Sequence, residues 1–176
     1  MKKYFLFVLI LLISSVCVSC SNDDSNNNTV PVDKAWRAKN DAYWQTLLSN
    51  TQYTSLKSIS NVGSILYKVL ETGEGTESIY FTSKVNVFYT GSFIDGTVFD
   101  QHEFDDGAPV TLTVSSVVDG MQTALQRMHV GDKWEIWIPG ELAYGTNGRV
   151  GSTTAIQIKP YTVLHFTIQV VSISEQ

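Results

Sequence analysis

Cysteine is almost absent from this 176-residue sequence, and its two cysteines, Cys17 and Cys20, both lie near the N-terminus. A disulfide-stabilised scaffold is therefore excluded, and so is thiol catalysis in the rest of the chain. The 3 histidines are scattered without the spacing of metal ligands, so we predict no metal site. A Gly-rich phosphate loop and a Gly-x-Ser-x-Gly nucleophile turn are missing as well, and we expect no cofactor.

Basic residues are also scarce, with 12 lysines and arginines against 17 aspartates and glutamates and a formal net charge of −5. The phosphates of nucleic acids need a basic protein surface, so we expect no nucleic-acid partner. Long hydrophobic runs are missing too. The apolar run from Tyr4 to Val18 is shorter than the about 20 residues that a membrane-spanning helix needs.

The N-terminal segment has the pattern of an export signal, because two lysines precede the short apolar run. The run ends in Cys17-Val18-Ser19-Cys20, which resembles the cleavage box of bacterial lipoproteins. This resemblance implies a signal peptide at residues 1–19, a lipid anchor on Cys20, and an outer-membrane lipoprotein on the periplasmic or cell-surface side. An uncleaved anchor and a plain secretory signal remain alternatives. Residues 20–32 are rich in Asn, Ser and Asp, which predicts a disordered tether.

Residues 33–60 are predicted to form an N-terminal helical segment. Asp33 is suited to the N-cap position, and Trp36, Tyr43 and Leu47 recur at helical spacing. We expect this apolar stripe to dock on the main domain of the same chain. The alternative is a helix that binds a partner or forms a homodimer.

Alternating apolar and polar residues predict strands throughout residues 61–176. The clearest of these patterns begin at Ile65, Val85, Val110, Trp134 and Leu164. One short helix around Met121 and Leu125 interrupts them. Antiparallel strands with a single helix across one sheet face are typical of an α+β domain. His165 alternates with the core positions of the last strand, so we expect it to face solvent.

Five sequence motifs follow one another in this region. They are Val87-Phe88-Tyr89-Thr90-Gly91, Asp95-Gly96-Thr97-Val98-Phe99-Asp100, Gln126-Arg127-Met128-His129-Val130-Gly131, Ile138-Pro139-Gly140-Glu141-Leu142-Ala143-Tyr144-Gly145 and Val163-Leu164-His165-Phe166. In order and spacing they resemble FKBP-type peptidyl-prolyl cis-trans isomerases, over about Ile65 to Ser174. The resemblance implies an FKBP-like isomerase domain at residues 61–176, with an antiparallel twisted sheet of five to six strands wrapped around one short helix.

The resemblance also implies an apolar pocket for a prolyl peptide. Its catalytic positions correspond to Tyr89, Phe99, Asp100 and Tyr144, and its substrate-binding positions correspond to Val110, Val117, Val118, Met121, Ile158 and Phe166. The implied function is to accelerate X-Pro isomerisation in exported proteins. The implied partners are proline-containing polypeptides and macrolide ligands of the FKBP class. A non-catalytic peptide-binding or chaperone module and a surface interaction lipoprotein that uses Trp36 and Trp44 remain alternatives.

Two departures from the family pattern affect this pocket. Met121 stands where the family usually has tryptophan, so we expect reduced activity or altered specificity. The segment from Gly145 to Gln157 is longer than in compact members and is expected to form a flap beside the pocket mouth. Asp100 follows a core phenylalanine, where a carboxylate is costly to desolvate, and the resemblance implies that Tyr89 orients it.

Overall fold

The computed structural model describes residues 32–103, 107–150 and 156–175. The predicted signal peptide, Cys20 and nearly all of the predicted tether lie outside the described residues, as do residues 151–155 of the predicted flap. Within the described ranges, no helix is both long enough and apolar enough to cross a membrane.

Two α-helices and seven strands make up the described fold. The helices are α1 (Lys34–Leu48) and α2 (Asp119–Leu125), and the strands are β1 (Thr54–Lys57), β2 (Ser64–Glu71), β3 (Lys84–Ser92), β4 (Val98–His102), β5 (Val110–Thr113), β6 (Lys133–Ile138) and β7 (Leu164–Glu175). The strands form one antiparallel sheet in the order β1-β2-β6-β7-β3-β4, with β5 paired to β3 beside β4. The predicted α+β class with a short helix is therefore confirmed.

The N-terminal helical segment is shorter than predicted. Asp33 caps α1 as expected, since its side chain accepts a hydrogen bond from the Trp36 N–H at 2.9 Å. However, the helix ends at Leu48, and Thr54–Lys57 forms β1 instead of continuing the helix. The reason is pairing at the sheet edge, because β1 lies antiparallel to Ser64–Tyr67 of β2. Together with β4, which no sequence pattern predicted, this strand brings the described sheet to seven strands, against the expected five or six.

Alternate residues of the sheet pack against different helices. Ile136 and Ile138 of β6 belong to the main core together with α2, whereas Leu66 and Trp137 belong to a second cluster with α1. This division follows from the strand repeat, in which neighbouring side chains point to opposite faces. Helix α2 approaches β6 so closely that a Cβ atom on Gly120 would lie 2.3 Å from Cγ2 of Ile138.

Helix α1 docks on its own domain, which is the first of the two arrangements predicted for it. The Trp36 indole donates to the Thr162 hydroxyl at 2.8 Å. The amide oxygen of the fully buried Asn40 accepts from the Val163 N–H at 2.9 Å. Trp36 and Trp44 are both half-buried against the domain rather than exposed. The apolar stripe of α1 is thus used within the chain.

Candidate active site

A pocket of about 320 Å³ opens between the start of α2, strands β3, β4, β5 and β7, and the loop after β6. Its lining combines aromatic and aliphatic side chains with a few polar groups. The lining residues are Tyr89, Phe99, Asp100, Leu112, Ser116, Val117, Val118, Met121, Tyr144, Arg149 and Phe166. Concave, mainly apolar pockets with a few convergent polar groups are the usual form of small-molecule and peptide sites.

Eight of the ten pocket positions implied by the sequence lie in this lining, and Val110 and Ile158 do not. Ile158 is only 1% exposed, because its side chain is enclosed in the main core. Val110 packs against the same core from the start of β5. Both residues therefore support the pocket wall from the core, and their contact with substrate stays a prediction.

Three lining residues were not identified from the sequence, namely Leu112, Ser116 and Arg149. Leu112 lies two residues after Val110 on the same strand, so the alternation of β5 pointed to this face without distinguishing the two positions. Arg149 lies within the segment that was expected to form a flap. The available signal for Arg149 in the sequence was a positive charge in a segment that was expected to lie beside an apolar pocket.

The aromatic wall of the pocket is assembled across three neighbouring strands. Phe99 and Phe166 meet edge to face with their ring centroids 5.6 Å apart, and Tyr89 lies 6.3 Å from Phe166. Gly91 pairs with Phe166 on one side and with Asp100 on the other. A Cβ atom on Gly91 would lie 2.7 Å from Cε1 of Phe166 and 2.8 Å from Cζ of Phe99. A side chain at this position would therefore push the rings away from the strand.

Tyr89 and Asp100 form the polar pair of the pocket. Burial raises the pKa of the Tyr89 hydroxyl, and the negative charge of Asp100 and the hydrogen bond between the two side chains raise it further. The Tyr89 hydroxyl therefore stays protonated at neutral pH and can donate towards Asp100. Asp100 itself is exposed, so its carboxylate avoids the cost of desolvation. It lies at the pocket rim, where β4 contributes mostly exposed residues.

The pocket floor is formed by the beginning of α2. Met121 lines the pocket yet is only 4% exposed, because most of its surface is covered by the core. Val118 occupies the N-cap position of α2. Within the described part of the chain, no acceptor takes a hydrogen bond from the Val118 N–H. The floor therefore presents an apolar side chain next to an available backbone donor.

Tyr144 lies opposite the aromatic wall, in the loop after β6. The carbonyl of Tyr144 accepts from the Gly148 N–H at 3.1 Å, which closes a turn. Its hydroxyl receives a long hydrogen bond of 3.5 Å from the Arg149 guanidinium. The hydroxyl consequently has capacity for a further hydrogen bond at the mouth of the pocket.

A second polar cluster lies on the opposite face of the sheet. Nδ1 of His165 is 3.1 Å from the Ser92 hydroxyl, and Nε2 is 3.1 Å from Glu135. Tyr53 donates to the same carboxylate at 2.8 Å, and the imidazole stacks on Trp137 at 4.1 Å. The expectation that His165 faces solvent is wrong, since its side chain is only 23% exposed. The reason is that Trp137 stacks on the imidazole, while Ser92 and Glu135 lie within hydrogen-bonding distance of its two nitrogens.

A larger groove of about 450 Å³ lies away from Asp100 and Tyr144. It is on the same side of the sheet as His165, which we call the outer sheet face. It is lined by Phe88, Tyr89, Thr90, Glu103, Lys133, Thr167 and Gln169. Lys133 is already paired with Glu71 at 3.4 Å. We favour the smaller pocket as the functional site, because of these two sites in the described part of the chain it is the one that combines aromatic walls, an apolar floor and polar groups at its rim. Among the described residues, no group of three or more His, Cys, Asp or Glu side chains could hold a metal ion.

Comparison with known proteins shows which family this chain resembles. A family model described as FKBP-type peptidyl-prolyl cis-trans isomerase matches residues 75–171. The chain is 37% identical over 130 residues to the peptidyl-prolyl cis-trans isomerase Mip of Coxiella burnetii, covering 74% of this chain and 53% of that protein. It is 36% identical over 139 residues to the outer membrane protein MIP of Legionella longbeachae, covering 79% and 54%. The chain thus spans about half the length of the curated relatives it matches.

Solved structures include close neighbours of the fold. A peptidyl-prolyl cis-trans isomerase from Pseudomonas syringae superimposes with a TM-score of 0.66 at 28% identity, covering 84% of this chain and 99% of that one. The family model extends over more than half of the chain and includes every residue of the pocket lining. The chain therefore belongs to the FKBP-type peptidyl-prolyl cis-trans isomerase family.

Proposed function

We propose that this protein accelerates cis-trans isomerisation of X-Pro peptide bonds in exported polypeptides. The observation that carries the proposal is the 320 Å³ pocket, which has an apolar floor, aromatic walls and hydrogen-bonding groups at its rim. Proline is a compact apolar ring attached to a polar amide. The floor around Met121 suits the ring, and the rim suits the carbonyls on either side of it.

The chemistry requires no covalent step. Amide resonance opposes rotation about the peptide bond with a barrier of about 18–20 kcal/mol, and uncatalysed X-Pro exchange takes tens to hundreds of seconds. Rotation breaks the resonance and reduces charge separation in the amide. An apolar pocket therefore binds the twisted amide better than the planar one, and this difference lowers the barrier.

Four polar groups of the pocket have a role in the proposed mechanism. The Tyr144 hydroxyl and the Val118 N–H hold substrate carbonyls, since both have capacity for a further hydrogen bond. Asp100 polarises the site electrostatically and is oriented by the Tyr89 hydroxyl. Because Asp100 is exposed, its effect is partly screened by water. It transfers no proton in this scheme.

Met121 is the position from which altered specificity is proposed to arise. It fills the floor but lacks the flat, rigid face of an indole, and its side chain adapts to irregular shapes. A floor of this kind holds the proline ring less rigidly, so we infer lower activity than a tryptophan floor provides. Macrolide ligands of the FKBP class would occupy the same floor and serve as competitive probes.

A protease-coupled assay with short X-Pro peptides tests the proposal, using the chain that begins at Ser21. Catalysed rates should exceed the uncatalysed exchange for at least some residues before proline. Rates equal to the uncatalysed reaction for every peptide would contradict isomerase activity. Peptide binding without turnover, measured by calorimetry in the same samples, would instead support the non-catalytic binding module.

The proposal includes attachment to the outer membrane through a lipid on Cys20, on the periplasmic or cell-surface side. Its support is the cleavage-box pattern and the printed name of the Legionella longbeachae relative, an outer membrane protein. The mass of the mature N-terminal peptide checks this, and an unmodified cysteine would contradict it. A surface interaction protein using Trp36 and Trp44, or a homodimer through α1, is not favoured, because that stripe packs within the chain.

A further inference from the structure

We infer that Arg149 makes the pocket select prolyl peptides that carry an acidic residue next to the proline. This inference rests on the proposed isomerase function and specifies its substrate class. Arg149 is the one basic side chain among the described residues that line the pocket. Its side chain is exposed, so it faces both the pocket and solvent. A peptide bound in the pocket therefore lies near this cation.

The charge of Arg149 is not neutralised within the described ranges, where no carboxylate forms an ion pair with it. Asp100, the acidic member of the pocket lining, is engaged with the Tyr89 hydroxyl. The guanidinium lies 5.9 Å from the centroid of the Tyr144 ring and reaches the hydroxyl with one N–H. Among the described residues, none takes a hydrogen bond from the remaining N–H groups of its planar fork, which leaves them available for a ligand.

The backbone around Arg149 is held in place, so the cation is presented from a fixed point. The Arg149 N–H donates to the Ile158 carbonyl at 2.7 Å, and the Ile158 N–H donates back at 2.9 Å. Ile158 is anchored in the core. Gly148 precedes with a φ of +63°, and a Cβ atom there would lie 2.4 Å from the Ile158 carbonyl oxygen. Glycine at this position permits the close pairing that positions Arg149.

The chemistry of the guanidinium determines the preferred ligand. Arginine binds carboxylates through two parallel N–H···O bonds, which a neutral amide cannot match. Arg149 is adjacent to Tyr144, whose hydroxyl is proposed to hold a carbonyl beside the proline. A glutamate in the residue flanking that carbonyl lies within range of the same guanidinium. A lysine in that place would be repelled.

The exposure of the Arg149 side chain determines how strong the preference for a glutamate peptide should be. Exposed ion pairs are weak and are screened by salt. We expect about a two- to fivefold higher kcat/KM for a glutamate peptide than for the isosteric glutamine peptide at low salt. The preference should vanish near 1 M salt, where the Debye length is about 3 Å.

The test uses the full chain in detergent and peptides with Glu, Gln or Lys placed before or after proline. Arg149→Gln should bring the Glu/Gln ratio of kcat/KM close to one, and Arg149→Glu should favour the lysine peptide. Arg127→Gln is the matched control, because Arg127 is an exposed arginine that does not line the pocket. It should retain the wild-type ratio.

Each outcome decides the inference. An equal rate for the Glu and Gln peptides, or a ratio unchanged in Arg149→Gln, would overturn it while leaving isomerase activity intact. If no peptide is isomerised, the proposed function fails, and calorimetric binding of the same peptides still measures the preference. If an Arg149 variant does not fold, the salt dependence of the wild-type ratio decides instead.

Discussion

Two places in this molecule bring together a carboxylate, a hydroxyl and aromatic rings. In the pocket, Asp100 meets Tyr89 beside the phenylalanine wall. On the outer sheet face, Glu135 meets His165 and Tyr53 beside Trp137. The chemical groups are similar, but their surroundings differ. The first pair opens into a pocket, whereas the second is enclosed by Ser92, Tyr53 and Trp137.

The outer cluster has the features of structural polar packing. Ser92 and Glu135 satisfy both nitrogens of His165, and Tyr53 adds a second hydrogen bond to the carboxylate. Neither Ser92 nor His165 lines either of the two pockets described above. A serine, a histidine and a glutamate within hydrogen-bonding distance therefore do not by themselves make a catalytic site. Space for a substrate beside them is also required.

The pocket differs because its hydrogen-bonding capacity is left partly unused. The Val118 N–H lacks an acceptor in the described residues, and the Tyr144 hydroxyl makes only one long contact. Groups of this kind are costly to leave unpaired unless water or a ligand reaches them. The difference between the two regions thus separates binding from packing, and it can be tested by substitutions on each face.

The largest expected effect comes from the outer face. Trp137→Ala should lower the free energy of unfolding by about 3–5 kcal/mol, as for other buried aromatic truncations. Trp137 is 6% exposed and packs between His165 and Tyr43 of α1. Urea denaturation measures the loss. The protein that remains folded should keep its isomerase activity, because Trp137 is not part of the pocket lining.

The matched variant on the pocket side is Met121→Ala. It should cost about 2–5 kcal/mol of stability and also lower kcat/KM for the folded protein, since Met121 forms the floor. If Trp137→Ala reduced activity as strongly as Met121→Ala at equal folded fraction, the separation of the two regions would be wrong.

Much of the fold was predictable because the main strands have strong period-two patterns. Residues such as Ile65, Val85 and Ile136 are fully buried, and their strands were identified correctly. Strands β1 and β4 were not identified, because they lie at the ends of the sheet order and most of their residues are exposed. An exposed edge strand lacks the alternation of buried and exposed positions on which such predictions depend.

The pocket was predictable only through the resemblance to a family. Local pattern could not show that Ile158 is enclosed in the core and lies outside the pocket lining. The burial of His165 was not predictable either, because it depends on contacts with Ser92, Glu135 and Trp137, which lie on other strands of the sheet. Long-range contacts of this kind override the local alternation rule.

Removing one hydroxyl group from each region should have a smaller effect, and the two variants should differ in whether activity or stability falls. Tyr144→Phe should lower kcat/KM about two- to tenfold, since a neutral hydrogen bond contributes about 0.5–1.5 kcal/mol. Stability should change little, because the hydroxyl makes only a 3.5 Å contact with Arg149. The comparison is Tyr53→Phe, which removes a hydroxyl from the outer cluster. That variant should lose stability and keep activity.

An unchanged rate in Tyr144→Phe would remove its hydroxyl from the mechanism. A lowered rate in Tyr53→Phe, measured at the same folded fraction, would mean that the outer cluster influences the pocket. Both variants keep the aromatic ring, so the effects report on the hydroxyl groups alone. Peptide isomerisation rates and urea denaturation, both measured for each variant, separate effects on activity from effects on stability.

The smallest expected effect is the pH dependence that the outer cluster adds to stability. Burial lowers the pKa of His165 below its ordinary value of 6.5, and the negative charge of Glu135 opposes this only in part. The folded protein therefore binds a proton at His165 less readily than the unfolded chain does. Its contribution to stability is present above pH 6.5 and is lost as the pH falls through the lowered pKa.

His165→Gln should reduce the decline in urea midpoint below pH 6.5, whereas His129→Gln, on the turn before β6, should leave the His165 contribution in place. A decline of equal size in wild type and His165→Gln would mean that the covered face does not disfavour the charged imidazole.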